Sequence, residues 1–246
     1  MKIHRLATLT LLILAALACN SVQSSAALLI NELDSDSANT PSTDFAEFVE
    51  LYDTSGTSVP LDGFSLLYFN GNGDVTYFAV DLDGFSTSAT GYFTVGSIPT
   101  ANIQANNPMN AGGAPGNLLQ NGADAVVLYQ GNAADFPNGT GVASLMAANI
   151  VDAVVYDTND ADDTGLISAL LVGGGQVDEF GRDGTGTTGA IDSIGRFPNG
   201  SGAARNTTTW TFMLPSPGAS NGVPEPSTML LAAAAALATS AVRRRG

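Results

Sequence analysis

Short runs rich in β-branched and aromatic residues recur along the chain, separated by pairs that favour tight turns. This alternation most constrains what the chain folds into. The runs are Ala27–Asn31, Phe45–Tyr52, Phe64–Phe69, Val75–Asp81, Tyr92–Val95, Ala125–Tyr129, Ile150–Tyr156, Ser193–Phe197 and Trp210–Leu214. Asp62-Gly63, Asn70-Gly71, Asn72-Gly73, Asp83-Gly84 and Asn121-Gly122 punctuate them. Gly and Asn tolerate the positive φ that hairpin turns require, so these pairs mark reversals. Between the two ends no long segment repeats at a helical period; Leu166–Leu171 offers a turn or two of helix. Many short strands at close spacing predict an all-β sandwich. Two stretches, Pro99–Asn117 and Gly173–Gly189, read as long irregular loops. Within the second, Gly181-Arg182-Asp183-Gly184-Thr185-Gly186 lacks the spacing and the Lys-Ser/Thr of a phosphate loop.

The ends obey different rules. Residues 1–27 read as a secretory signal peptide: Lys2 and Arg5, an apolar stretch through Ala18, then small residues up to Ala27. Cys19 after Ala16-Leu17-Ala18 opens an alternative, lipoprotein processing, although the Leu usual three residues before such a cysteine is Ala here. Residues 223–246 contain Pro224-Glu225-Pro226, an Ala/Leu-rich run from Met229 to Val242, then Arg243, Arg244 and Arg245. About 15 helical residues rise roughly 22 Å, short of a ~30 Å hydrocarbon core, so the run suits transient membrane association with its basic tail on the cytoplasmic side. The order of Pro-Glu-Pro, apolar run and Arg cluster resembles the bacterial PEP-CTERM sorting signal. That resemblance implies an exosortase-type membrane protease as partner, and export to the cell envelope, cell surface or medium.

Removing both ends changes the chemistry of what is left. The chain holds one His and one Cys, His4 and Cys19, and both fall in the signal. The body therefore has no imidazole or thiol for nucleophilic catalysis, for the usual zinc, copper and haem sites, or for a disulfide. It retains Arg182, Arg196 and Arg205, no Lys, and 22 acidic residues once Glu225 leaves with the tail, a net charge near −19. Such a body repels phosphate backbones, and no nucleic-acid partner is expected.

Several blocks then stand in a telling order: Leu29-Ile30-Asn31-Glu32-Leu33, Glu47-Phe48-Val49-Glu50-Leu51-Tyr52, Leu61-Asp62-Gly63-Phe64-Ser65-Leu66, Ser193-Ile194-Gly195-Arg196-Phe197, Trp210, and Pro215-Ser216-Pro217-Gly218-Ala219-Ser220-Asn221. Together they resemble the lamin-tail domain of secreted bacterial proteins, through most of residues 28–222. The resemblance implies an immunoglobulin-like β-sandwich flanked by the N-terminal signal helix and the C-terminal hydrophobic helix. Similar lamin-tail segments precede extracellular nuclease domains. This sequence carries a sorting signal at that point, so nuclease activity is not expected.

What remains for chemistry is carboxylate, hydroxyl, amide and guanidinium. Glu32, Asp34 and Asp36 are spaced by two, which on an extended chain puts them on one side. Asp157, Asp160, Asp162 and Asp163 form a second cluster beside Thr158 and Asn159. Both are candidate Ca²⁺ ligand sets, since Ca²⁺ takes six to eight oxygens, though neither has EF-hand spacing; the competing reading is a solvated acidic loop. Glu47 and Glu50, three apart, face opposite ways and are expected as exposed charges. The three arginines are expected to neutralise crowded carboxylates, and Trp210 to lie in the core. Tyr68, Tyr77, Tyr92, Tyr129 and Tyr156 are the aromatic side chains from which a carbohydrate site would draw.

The sequence thus points to a non-enzymatic, secreted or surface-displayed structural or interaction module, with no catalytic residues. The alternatives are a Ca²⁺-dependent module binding extracellular polysaccharide or surface matrix, and a hydrolase working through carboxylates alone.

Overall fold

The computed structural model describes residues 26–37, 46–105, 118–158, 160–179 and 193–222. Both terminal signals fall outside these apart from Ala26 and Ala27, as do Arg182 and Asn159.

Nine of the strands correspond to the expected runs: β1 (Leu28–Asp34), β2 (Phe48–Asp53), β3 (Phe64–Asn70), β4 (Val75–Asp81), β5 (Tyr92–Gly96), β7 (Asp124–Gln130), β8 (Ile150–Asp157), β10 (Ser193–Arg196) and β11 (Trp210–Met213). Two are additional, β6 (Ile103–Gln104) and β9 (Val177–Asp178), one in each stretch read as loop. Each adds in parallel to a sheet edge, on β5 and β8 respectively. The helix α1 (Thr164–Leu170) lies within a residue or two of the expected helical turn.

Among the described residues two sheets form, one of six strands ordered β11-β10-β1-β2-β5-β6 and one of five ordered β4-β3-β7-β8-β9. They enclose a core that includes Ile30, Leu33, Val49, Leu51, Leu66, Tyr68, Phe93, Val126, Leu128, Val154 and Tyr156. This is the sandwich expected from the sequence. A second cluster lies on the far side of the five-stranded sheet, where Leu67, Phe69, Val127 and Val155 pack with Phe136 and with Leu166 and Leu170 of α1. Covered on both faces, β3 and β7 read as near-continuous apolar runs instead of alternating ones.

In β1 the pairing register with β2 slips between Ile30 and Glu32. Ile30 and Leu33 both enter the core, which leaves Asn31 and Glu32 together on the opposite face. A β-bulge re-aims side chains in this way. β1 ends at Asp34, so Asp36 follows the strand, half-buried in a bend, and the three acids do not share one strand face.

A single ion pair joins the sheets among the described residues. Arg196 of β10 meets Asp152 of β8 at 2.9 Å, both fully buried. The guanidinium also donates to the carbonyls of Ile30, Ser201 and Ala203 and lies 5.5 Å from the Trp210 ring. Asp152 accepts further from the backbone N–H of Ile30 and Arg205. Burial drives its carboxyl pKa up, while Arg196 and the backbone donors pull it back. The expected neutralising role thus holds for Arg196. Arg205 differs: its side chain donates to the carbonyls of Leu170 and Ala169 and caps the C-terminus of α1.

Candidate functional site

The six-stranded sheet carries an unusual polar face. Glu32 and Glu50 are paired directly across β1 and β2, and neither is exposed. The segment Pro215–Asn221 crosses this face as a strap. Glu32 accepts from Ser193 Oγ at 2.6 Å, and from Ser216 N and Oγ, each at 2.8 Å. Glu50 accepts from Asn31 Nδ2 at 2.8 Å and from the N–H of Gly218 at 2.6 Å. Asn221 closes the strap by donating Nδ2 to the carbonyls of Asn31 and Arg196 and its N–H to Asn199 Oδ1. Gly195 makes room: a Cβ there would stand 2.7 Å from Asn221 Nδ2 and 2.8 Å from the Asn31 carbonyl.

Like charges placed opposite each other in a sheet repel. Burial raises the Glu50 carboxyl to about 8, against the donors from Asn31 and Gly218, and the nearby Glu32 adds to the rise. Glu32 is also raised, chiefly by burial. A raised carboxylate pair is what acid–base chemistry uses. Here the pair is sealed beneath the strap, and every bond it makes holds backbone or side chain in place.

The expectation of exposed charge at Glu47 and Glu50 is therefore overturned; both are fully buried. Their opposite directions do hold. Glu50 meets the strap, and Glu47 accepts the Leu119 N–H at 2.6 Å on the side of the core tyrosines. Sequence reasoning missed both burials, because the covering segments are remote in sequence: the strap over Glu50 lies 168 residues on, and the Leu119 that meets Glu47 lies 72 residues on. The one signal was an acid embedded in a run as apolar as Phe48-Val49-Glu50-Leu51-Tyr52.

Among the candidate Ca²⁺ ligands, Glu32 is thus engaged by serines and Asp34 is buried. Asp157, at the end of β8, is fully buried and faces Asp178 across the β8–β9 pairing. Burial, then Asp178, raises it to about 7. Asp160 and Asp162 are exposed, and Asp163 caps α1 by accepting the Leu166 N–H at 2.8 Å. Among the described residues, no group of three or more His, Cys, Asp and Glu side chains is arranged to hold a metal ion.

Of the five tyrosines considered for a carbohydrate site, Tyr68, Tyr77, Tyr129 and Tyr156 are buried. Tyr92 is half-buried and packs on Tyr52, ring centroids 4.8 Å apart. Trp210 is in the core cluster, as expected.

Among the described residues no helix is long and apolar enough to cross a membrane. The family model described as Lamin Tail Domain matches residues 21–184, and that of the PEP-CTERM protein-sorting motif matches residues 222–245. The sandwich extends past the first match, since β10 and β11 complete the six-stranded sheet and the strap follows them. A search of curated proteins finds no match.

Proposed function

The chain belongs to the Lamin Tail Domain family, and from that premise we propose that it is a non-enzymatic structural or interaction module, displayed on the cell surface after handling by an exosortase-type protease. The sorting motif marks a surface protein sorted by that system. One observation carries the reading: the motif begins at residue 222, one residue after the strap that fastens the sandwich shut. A finished body is thus joined directly to its address. The raised carboxylate pair, Glu32 and Glu50, serves to fasten that body. Intact mass of the protein from cells and from medium tests the reading. Loss of the tail in the exported form, abolished by replacing Pro224-Glu225-Pro226 with Ala-Ala-Ala, is expected. An exported form that keeps residues 223–246 would sink it.

Calcium is a second reading, favoured by the carboxylates of Asp157 and Asp178, which face each other across the β8–β9 pairing with the buried Asp157 raised to about 7 by burial and by Asp178. Two carboxylates face each other there, so an ion would complete its shell with backbone oxygens and water. Binding to the folded state alone raises the melting temperature. A rise at 5 mM Ca²⁺ over EDTA, lost in Asp157→Asn, is the expected result; an unchanged transition removes the ion.

A further inference from the structure

The strap over the six-stranded sheet is attached differently from the strands beneath it. It runs from Pro215 to Asn221, and of its residues only Asn221 is buried. None of its side chains belongs to either hydrophobic cluster. Pro215 and Pro217 have no N–H to offer a ladder. The Ala219 N–H donates to the Ser216 carbonyl at 2.9 Å, which turns the strap on itself. Its anchors to the sheet are polar bonds at Ser216, Gly218 and Asn221. A segment with few apolar contacts opens locally, whereas core strands open only with the whole body. The strap can therefore lift while the sandwich stays folded.

Two of the three anchors end on acids. Ser216 holds Glu32 and Gly218 holds Glu50, the carboxylates that oppose each other across β1 and β2. Among the described residues no cation offsets this pair: Arg196 turns its guanidinium to Asp152, and Arg205 turns to α1. Two charges placed there repel under the closed strap. A proton, by contrast, has a place to sit. Ser216 Oγ lies 2.8 Å from Glu32 Oε2 and 3.3 Å from Asn221 Oδ1. A hydroxyl both donates and accepts. A protonated Glu32 donates to Ser216, which then donates to Asn221, so the first anchor is tied to the last. An ionised Glu32 takes the Ser216 proton for itself and that tie is dropped.

We propose that the strap is an alkali-released latch: it lies closed while the Glu32–Glu50 pair holds a proton, and lifts from Pro215 onward when both carboxylates are charged, the two sheets remaining folded. Lifting returns both charges to water, where their repulsion is weak. The direction of both carboxyls agrees, since burial raises Glu32 and raises Glu50 from 4.5 to about 8. The closed strap is thus favoured fully below the ordinary value and loses that favour as pH rises through about 8. Tyr92 and Tyr52 are the other ionisable side chains beside Glu50. The Tyr92 phenol is raised by burial, then by Tyr52 and Glu50, so it stays neutral while the carboxyls titrate. Release frees residues 215–221 and places roughly 25 Å of additional extended chain ahead of the sorting motif. The proposal deepens the reading of a body joined directly to its address, and rests on it.

A spin label reports on the strap directly. Cys19 is the chain's single cysteine and lies in the signal, so Ala219→Cys in the exported protein supplies one thiol at an exposed strap position. Ala143→Cys, exposed outside the five-stranded sheet, serves as the reference. Electron paramagnetic resonance is recorded from pH 5 to pH 9.5, with circular dichroism on the same samples. The label at 219 should be fixed at pH 5 and tumble at least about five-fold faster at pH 9.5, reversibly. The label at 143 and the β signal should not change. Glu32→Gln and Glu50→Gln each leave one ionisable carboxyl, and release should then move up by more than about one pH unit or vanish. Melting curves at pH 5 confirm that the variants are folded, and either suffices; the parent titration decides alone if neither folds. A strap still fixed at pH 9.5 overturns the proposal, as does one already mobile at pH 5. So does mobility that arrives only with loss of the β signal, or release at the parent pH in the folded variants. An exported form that keeps its tail would sink the surface-display reading and leave this titration intact, so the two fail separately.

Discussion

Arg196 and Asp152 show how few side chains decide the interior. The sequence makes Arg196 conspicuous, since a body with 22 acids and three arginines spends each cation with effect. Its role as a neutraliser was legible from scarcity alone; its partner was not, because Asp152 sits in an apolar run, Ile150–Tyr156, with no mark distinguishing it from a surface acid. Breaking a buried pair by removing one member costs about 3–5 kcal/mol, because the survivor is left charged and unpaired. Arg196→Met should lower the unfolding free energy by that amount in urea titrations. Adding Asp152→Leu should recover only part of it. The backbone N–H groups of Ile30 and Arg205 would then lose their acceptor, and an unmet buried donor carries its own cost. Full recovery in the double variant would mean that those backbone bonds hold nothing.

Strands with strong β propensity were legible to within about three residues at either end, β1 and β2 being the furthest off, and the two that were not legible share a cause. β6 and β9 are two residues long and pair in parallel at sheet edges, where neighbours supply the order and local composition gives no signal. The strap was recognisable as a block, Pro215–Asn221, yet its place over Glu32 and Glu50 was hidden, as was the bulge that turns Asn31 and Glu32 outward together. Its chemistry has a pH signature. Folded Glu50 is raised to about 8 from an ordinary value of 4.5. The folded state therefore binds a proton that the unfolded chain has already released through the intervening range. The stabilisation is complete below pH ~4.5 and is lost as pH rises through about 8, and Glu32 acts in the same direction. The protein should be more stable at pH 5 than at pH 9 by a few kcal/mol, opposite to the usual loss of stability in acid. Thermal unfolding across that range checks this. Glu50→Gln, which cannot ionise, should flatten the alkaline limb while losing about 1 kcal/mol at pH 5, where one of the bonds to Asn31 and Gly218 is forfeited. A wild-type curve that is level from pH 5 to 9 would contradict the assignment.

On the scale of the whole molecule, the strap fixes where the body stands relative to its sorting tail. Asn221 is fastened by bonds to Asn31, Arg196 and Asn199, so the chain leaves the sandwich there without slack. Pro224 follows three residues later and the apolar run begins at Met229, eight residues later. At the limit of extension, roughly 3.5 Å per residue, these spans reach only ~11 and ~28 Å. On the proposed reading, a protease that grips Pro224-Glu225-Pro226 would work against the folded body, with the strap side of the six-stranded sheet turned towards it. Crowding of this kind slows access to the motif, and added chain relieves it. Inserting eight Gly/Ser residues between Gly222 and Val223 adds up to ~28 Å of reach while leaving every strap bond in place. The ratio of processed to unprocessed protein at a fixed time after synthesis, read by intact mass, should rise several-fold. Loosening the strap with Asn221→Ala should move the ratio the same way by a smaller amount, since it frees only the last few residues. If the insertion leaves processing unchanged while Ala-Ala-Ala at 224–226 abolishes it, the protease reads the motif without meeting the body, and the strap serves only to close the sandwich.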